Sequence, residues 1–193
     1  MGSPAQMAVL FVFAACAFAG GFALRIADPV VLAVAGDFGV SAATAALLGT
    51  GFAVPYAMAQ LFLGPIGDRY GKLQCIRVCS VGLAAALVLC ALAPAFGLLL
   101  SARAVAGVFG GGLIPLVLAS LGDRYGMQER QVMIGRMLFA IISGQMLGSM
   151  VGGAVGEHAG WRSALAAAAA VGVLAAVAAR RAVGLEGRQA RGR

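Results

Sequence analysis

Long stretches without a charge alternate with short basic turns along this chain. Phe38 to Gly67, Val78 to Ala102, Ala104 to Gly122, Met137 to Gly156 and Ser163 to Ala179 contain no Asp, Glu, Lys, Arg or His. About 20 apolar residues suffice to carry a helix across a bilayer. These runs are apolar on all sides and rich in Ala, Leu and Gly, whereas membrane-barrel strands alternate in polarity over about 10 residues. A further apolar stretch, Met7 to Leu24, lacks the basic lead of a signal peptide and runs straight into another spanning pattern, so it reads as a retained first helix. The pattern predicts an all-α membrane protein with six transmembrane helices near 7–34, 42–66, 74–94, 97–119, 132–155 and 162–179, and a basic tail at 181–193.

The pentapeptide GDRYG occurs twice, at Gly67–Gly71 and Gly122–Gly126, separated by the third and fourth predicted helices. Two crossings return the chain to the same side, so both copies emerge together. That side also holds Arg69, Lys72, Arg77, Arg124, Arg130, Arg136, Arg180, Arg181, Arg188, Arg191 and Arg193, while Arg162 stands alone on the other. Basic residues in short loops are retained in the cytoplasm, which predicts a cell-membrane protein with both termini and both turns cytoplasmic. Topology thus accounts for the net charge of +7 without nucleic acid, and anionic headgroups should attract this face.

Chemistry is sparse. Cys16, Cys75, Cys79 and Cys90 lack metal-ligand spacing and read as small apolar residues. No nucleophile set, zinc spacing or phosphate loop is found, which excludes the common enzyme classes and implies neither cofactor nor metal. His158 falls in the outer loop Gly156–Gly160, where a lone histidine is usually solvated.

The charges inside spans are more telling. Arg25 and Asp28 lie three residues apart on the first helix, just before Pro29, and Arg103 lies in the fourth. Such groups face a bundle interior or a watery path, or else snorkel to the interface. At about 1.5 Å per residue, Arg25 would sit roughly 13 Å and Arg103 roughly 9 Å inside the outer helix ends, so both readings stay open. Asp28 is the only acid within a predicted span; it can pair with Arg25, with Arg103, or with both in turn. Pairing favours an ionised carboxylate, so breaking the pair would let it accept a proton.

On the second helix Phe52, Tyr56 and Gln60 form a stripe suited either to substrate contact, with Gln145 on the fifth helix, or to interhelical hydrogen bonding. Gly107 and Gly111, and Gly144, Gly148, Gly152 and Gly153, suit close helix packing.

The segment Gly64-Pro65-Ile66-Gly67-Asp68-Arg69-Tyr70-Gly71-Lys72 resembles the loop motif of the major facilitator superfamily, roughly G-x-x-x-D-R-x-G-R-R, with Leu73 replacing the final basic residue. Arg103 to Gly107 resembles the R-x-x-x-G motif of that family's fourth helix. Gly144 to Gly153 resembles its antiporter motif G-x-x-x-G-P-x-x-G-G, with Ser149 at the proline position. Gly160-Trp161-Arg162 resembles the start of its sixth helix. The second GDRYG copy reads as a topogenic turn only.

The resemblance covers the whole chain and is similar in pattern to bacterial drug and sugar efflux permeases. It implies half of the twelve-helix fold, built as two inverted three-helix repeats, and secondary transport by alternating access: proton-coupled efflux of a small organic compound. Within it, Arg25, Asp28 and Arg103 border the cavity, while Gly64, Gly67, Asp68, Arg69, Gly71 and Lys72 form the gating loop. The implied partners are a small-molecule substrate, protons, the lipid bilayer and a second six-helix unit, either another copy or a separate chain. The alternative expectation is a non-transporting remnant or a regulatory partner of a full transporter.

Overall fold

A computed structural model describes residues 4–191, with side-chain surroundings for residues 7–181; the side chains of the basic tail beyond Arg181 lie outside the described residues. The first apolar run is not one helix. α1 (Pro4–Arg25) stops before Pro29, a 3-10 turn (Asp28–Val30) carries the proline, and α2 (Val31–Phe38) resumes. Proline has no N–H for the helical ladder and disfavours helical backbone in the residue before it. Met7–Phe38 still forms one apolar segment of spanning length, but Asp28 lies at a break rather than on a continuous helix face.

Two local signals end α2 and start α3 (Ala42–Tyr70). Gly39 takes the left-handed conformation (φ 64), which glycine adopts without steric cost, and the Val40 N–H reaches the Ala35 carbonyl at 3.0 Å. The Ser41 hydroxyl then accepts from the Thr44 N–H at 3.1 Å, capping α3. α3 continues through most of GDRYG, and only Gly71 (φ 90) separates it from α4 (Lys72–Ala91). The same happens at the second copy, where α5 (Phe96–Arg124) runs on into the motif before α6 (Met127–Arg191). Both pentapeptides were expected as turns beyond the helices. They are mostly helix ends, because one or two non-helical residues suffice to reverse the chain.

Among the described residues, five segments are long and apolar enough to cross a membrane: Met7–Phe38, Ala42–Tyr70, Lys72–Ala91, Phe96–Arg124 and Met127–Arg181. The last has 55 residues, or about 80 Å of helix against a hydrocarbon core of about 30 Å. It is broken at Gly160, whose φ of 82 and ψ of 161 are non-helical.

Glycines set the packing. A methyl group on Gly144, Gly148 or Gly152 would meet the backbone carbonyl of Phe18, Phe22 or Ile26 respectively. The register advances by four on both sides, so α1 and the first arm of α6 run parallel with their backbones in contact. Gly107 and Gly111 stand in the same relation to the carbonyls of Phe52 and Tyr56, pairing α5 with α3. Gly153 is looser, approaching only Pro29. Beyond Gly160 the second arm of α6 returns along α4, with Gly172 against Ala84 and Leu87. Cys16 and Ser80 meet at 3.4 Å to join α1 with α4.

At the end of α2, Asp37 accepts from Trp161 Nε1 at 3.0 Å and from Arg162 at 2.6 Å. The Arg162 guanidinium lies 4.2 Å from the Trp161 ring centroid. Phe38 packs between Phe96 and Trp161. Arg162 is therefore tied to the end of the first apolar run, and the second arm of α6 is anchored where it begins.

Candidate functional site

Arg103 is fully buried among α1, α3 and α5. Its Nη1 donates to the Ala23 carbonyl of α1 at 2.8 Å and its Nε points at the Leu48 carbonyl of α3 at 3.5 Å. The guanidinium lies over the Phe52 ring, 4.4 Å from the centroid, an attractive cation–π arrangement. Its Nη2 has no hydrogen-bond partner among the described residues. Snorkelling is thus not how this residue is accommodated. The break around Pro29 helps to explain why carbonyls are on offer: the last turns of a helix leave carbonyls without partners in the ladder, and Ala23 lies in the last turn of α1.

Asp28 pairs with Arg25 at 3.0 Å, and both side chains are partly open, at 40% and 54% exposure. Asp28 makes no ion pair with Arg103. Its carboxylate lies 4.0 Å from where a side chain on Gly49 of α3 would begin. Of the three charges, Arg25 and Asp28 pair with each other, while Arg103 is buried without a carboxylate partner among the described residues and keeps one donor open.

The stripe on α3 divides. Phe52 is fully buried beneath Arg103 and stacks on Tyr56 at 5.7 Å between centroids. Tyr56 is half-buried and hydrogen-bonds Gln60, which is exposed. Gln145 lies against Gly21 in the α1–α6 contact. Of the four residues expected to meet substrate, Phe52 supports Arg103 from the core, and Gln60 alone is exposed.

The GDRYG copies meet through Lys72. Its ammonium pairs with Asp68 at 3.0 Å, one turn back, and with Asp123 of the second copy at 2.5 Å. Because α3 and α5 run parallel in contact, their ends arrive side by side, and this corrects the reading of the second copy as a topogenic turn only. Gly67 is buried where a side chain would strike Leu116, Gly64 is uncrowded, and Arg69 lies over Tyr70. The expected consequence is specific. Lys72→Gln leaves two neighbouring carboxylates without their shared cation, so the distance between spin labels at Tyr70 and Tyr125 should lengthen and broaden, while Lys72→Arg should keep it. An unchanged distance in Lys72→Gln would mean that backbone packing alone holds the two ends together.

The Major Facilitator Superfamily profile matches residues 13–192, and the chain belongs to this family of membrane transporters. It is 30% identical over 129 residues to the multidrug efflux pump LfrA of Mycolicibacterium smegmatis, covering 66% of this chain and 26% of that one. It is 30% identical over 163 residues to a probable actinorhodin transporter of Streptomyces coelicolor, covering 82% and 28%. Among solved structures, a bacterial homologue of the human lysosomal transporter Spinster superposes with a TM-score of 0.80 at 22% identity, covering 94% of this chain and 44% of that one. The chain spans less than half the length of these relatives. It is a multi-pass membrane transporter-family protein related to efflux pumps, not an enzyme.

Proposed function

We propose that this chain forms one half of a proton-coupled exporter of small organic compounds in the cell membrane, with Asp28 as the proton-accepting group. The observation that carries this reading is the fully buried guanidinium of Arg103, whose Nη2 has no hydrogen-bond partner among the described residues, in a bundle where Asp28 is held by Arg25 at the contact with α3. In one state Asp28 pairs with Arg25. When α1 and α3 rock apart or together, the carboxylate can pass to Arg103 or, between partners, take up a proton. Kinship with efflux pumps supports export, and the exposed Gln60 offers a hydrogen-bonding contact for a substrate.

In this reading the two arms of α6 are separate crossings, giving six helices in two inverted sets of three. Basic-residue bias supports a cytoplasmic position for both termini and the Lys72 cluster. A second six-helix unit covers the exposed side of α3 and the first arm of α6. Gln60 on α3 and Ser149 on α6 are exposed there, and polar groups facing hydrocarbon lack hydrogen-bonding partners.

Reconstitution of the chain with whatever second unit copurifies from native membranes, followed by substrate efflux driven by a proton gradient, tests the proposal. Asp28→Asn, nearly unchanged in volume, should insert normally and lose gradient-driven transport while retaining exchange of substrate without a gradient. Wild-type coupling in that variant would remove Asp28 from the mechanism.

A further inference from the structure

Away from the charged centre, a groove of about 600 Å³ runs along the surface of the bundle, lined by Arg77, Val78, Val81 and Gly82 of α4, Phe109 of α5 and Arg180 of α6. The transport reading uses none of these residues. The groove is polar at one end and apolar at the other. Arg77 lies in the second turn of α4, at the end of the bundle that carries both GDRYG copies, and the second arm of α6 brings Arg180 to the same level. About 7.5 Å further along α4, Gly82 lets the Phe109 ring lie directly against the helix, because a side chain there would meet the ring at 2.5 Å. Val78 is half-exposed beside it. Neither arginine has an ion pair or hydrogen bond among the described residues, and no carboxylate lines the groove.

We propose that this groove holds one anionic phospholipid, its phosphate between Arg77 and Arg180 and an acyl chain along Val78, Val81, Gly82 and Phe109. Guanidinium groups match phosphate oxygens in geometry and charge, and basic residues at a membrane surface select acidic lipids. The apolar floor argues for a lipid rather than a free anion, since a bare phosphate would use the arginines and leave the rest of the groove to other molecules. A zwitterionic headgroup carries its own cation toward two arginines and is disfavoured. The proposal requires membrane insertion but not transport, so a transport-inactive chain would leave it intact.

The purified full chain in mild detergent, mixed with dioleoyl phosphatidylglycerol or dioleoyl phosphatidylcholine, can be examined by native mass spectrometry. Wild type should retain one phosphatidylglycerol and little phosphatidylcholine. Arg77→Gln and Arg180→Gln should each lower retention about fivefold and the double variant about thirtyfold, as expected for one surface basic contact apiece. Arg136→Gln, on the same end of the molecule but outside the groove, should bind as wild type. Val81→Trp should expel the lipid with both arginines intact. Equal retention of the two lipids would overturn the proposal, as would full retention in the double or Val81→Trp variant. So would release of the bound lipid by glycerol 3-phosphate, which would mark a phosphate site without an acyl-chain groove.

Discussion

Arg103→Ala is expected to destabilise the bundle by about 2–5 kcal/mol, the range for truncating a large core side chain, with the lost carbonyl partners adding to the deficit. The side chain is wholly enclosed, bonds the Ala23 carbonyl and covers the Phe52 ring, so its removal opens a cavity where three helices meet. Arg103→Met separates packing from charge. Replacing a buried ionic group by an apolar one of similar volume is often neutral or stabilising, so this variant should recover most of the stability, as read from thermal unfolding in detergent. Under the proposed function, gradient-driven transport should nevertheless fall at least about tenfold, the loss of one charge-assisted contact worth about 1.5 kcal/mol. Full transport by Arg103→Met would show that the guanidinium is a packing element only, and the open Nη2 would then have no part in coupling.

Gly107→Val should be nearly as damaging, and for a different reason. A β-carbon there meets the Phe52 carbonyl, and backbone cannot swing aside as a flexible side chain can. The cost of forcing such an overlap is about 1–3 kcal/mol, paid by parting α5 from α3 and so loosening the pocket around Arg103. Gly144→Val should act in the same way on α1 and α6 through the Phe18 carbonyl. Gly135 provides the contrast. It is helical, with nothing within 4 Å of an added β-carbon, so Gly135→Ala should stabilise by up to about 1 kcal/mol through helix propensity. If Gly107→Val and Gly135→Ala shifted stability alike in chemical denaturation, close backbone contact would not be what these glycines provide.

Much of the architecture was legible in the residue pattern. Uncharged runs of spanning length pointed to an all-helical membrane protein, as the five long apolar helical segments among the described residues bear out, and parity of crossings placed both GDRYG copies at one end, where Lys72 joins them. Pattern also singled out Arg25, Asp28 and Arg103. These features depend on local composition: a charge in an apolar run is visible wherever the run goes, and glycine spaced at four marks a helix face whatever lies opposite.

What lay opposite could be decided only by the tertiary structure. Asp28 and Arg103 were candidates for one ion pair, and the sequence offered no way to choose between the two arginines. The break at Pro29 and the approach of α1 to α3 give the acid to Arg25 and turn Arg103 toward backbone carbonyls. Phe52 belonged to a stripe of possible substrate contacts until the Gly107 approach carried it into the core. Asp37 and Asp123 acquire Arg162 and Lys72 as partners more than 50 residues away in sequence. Helix periodicity specifies which residues share a face, but the partner of that face is set by how closely two backbones can pack, and that distance is a property of the pair of helices rather than of either one.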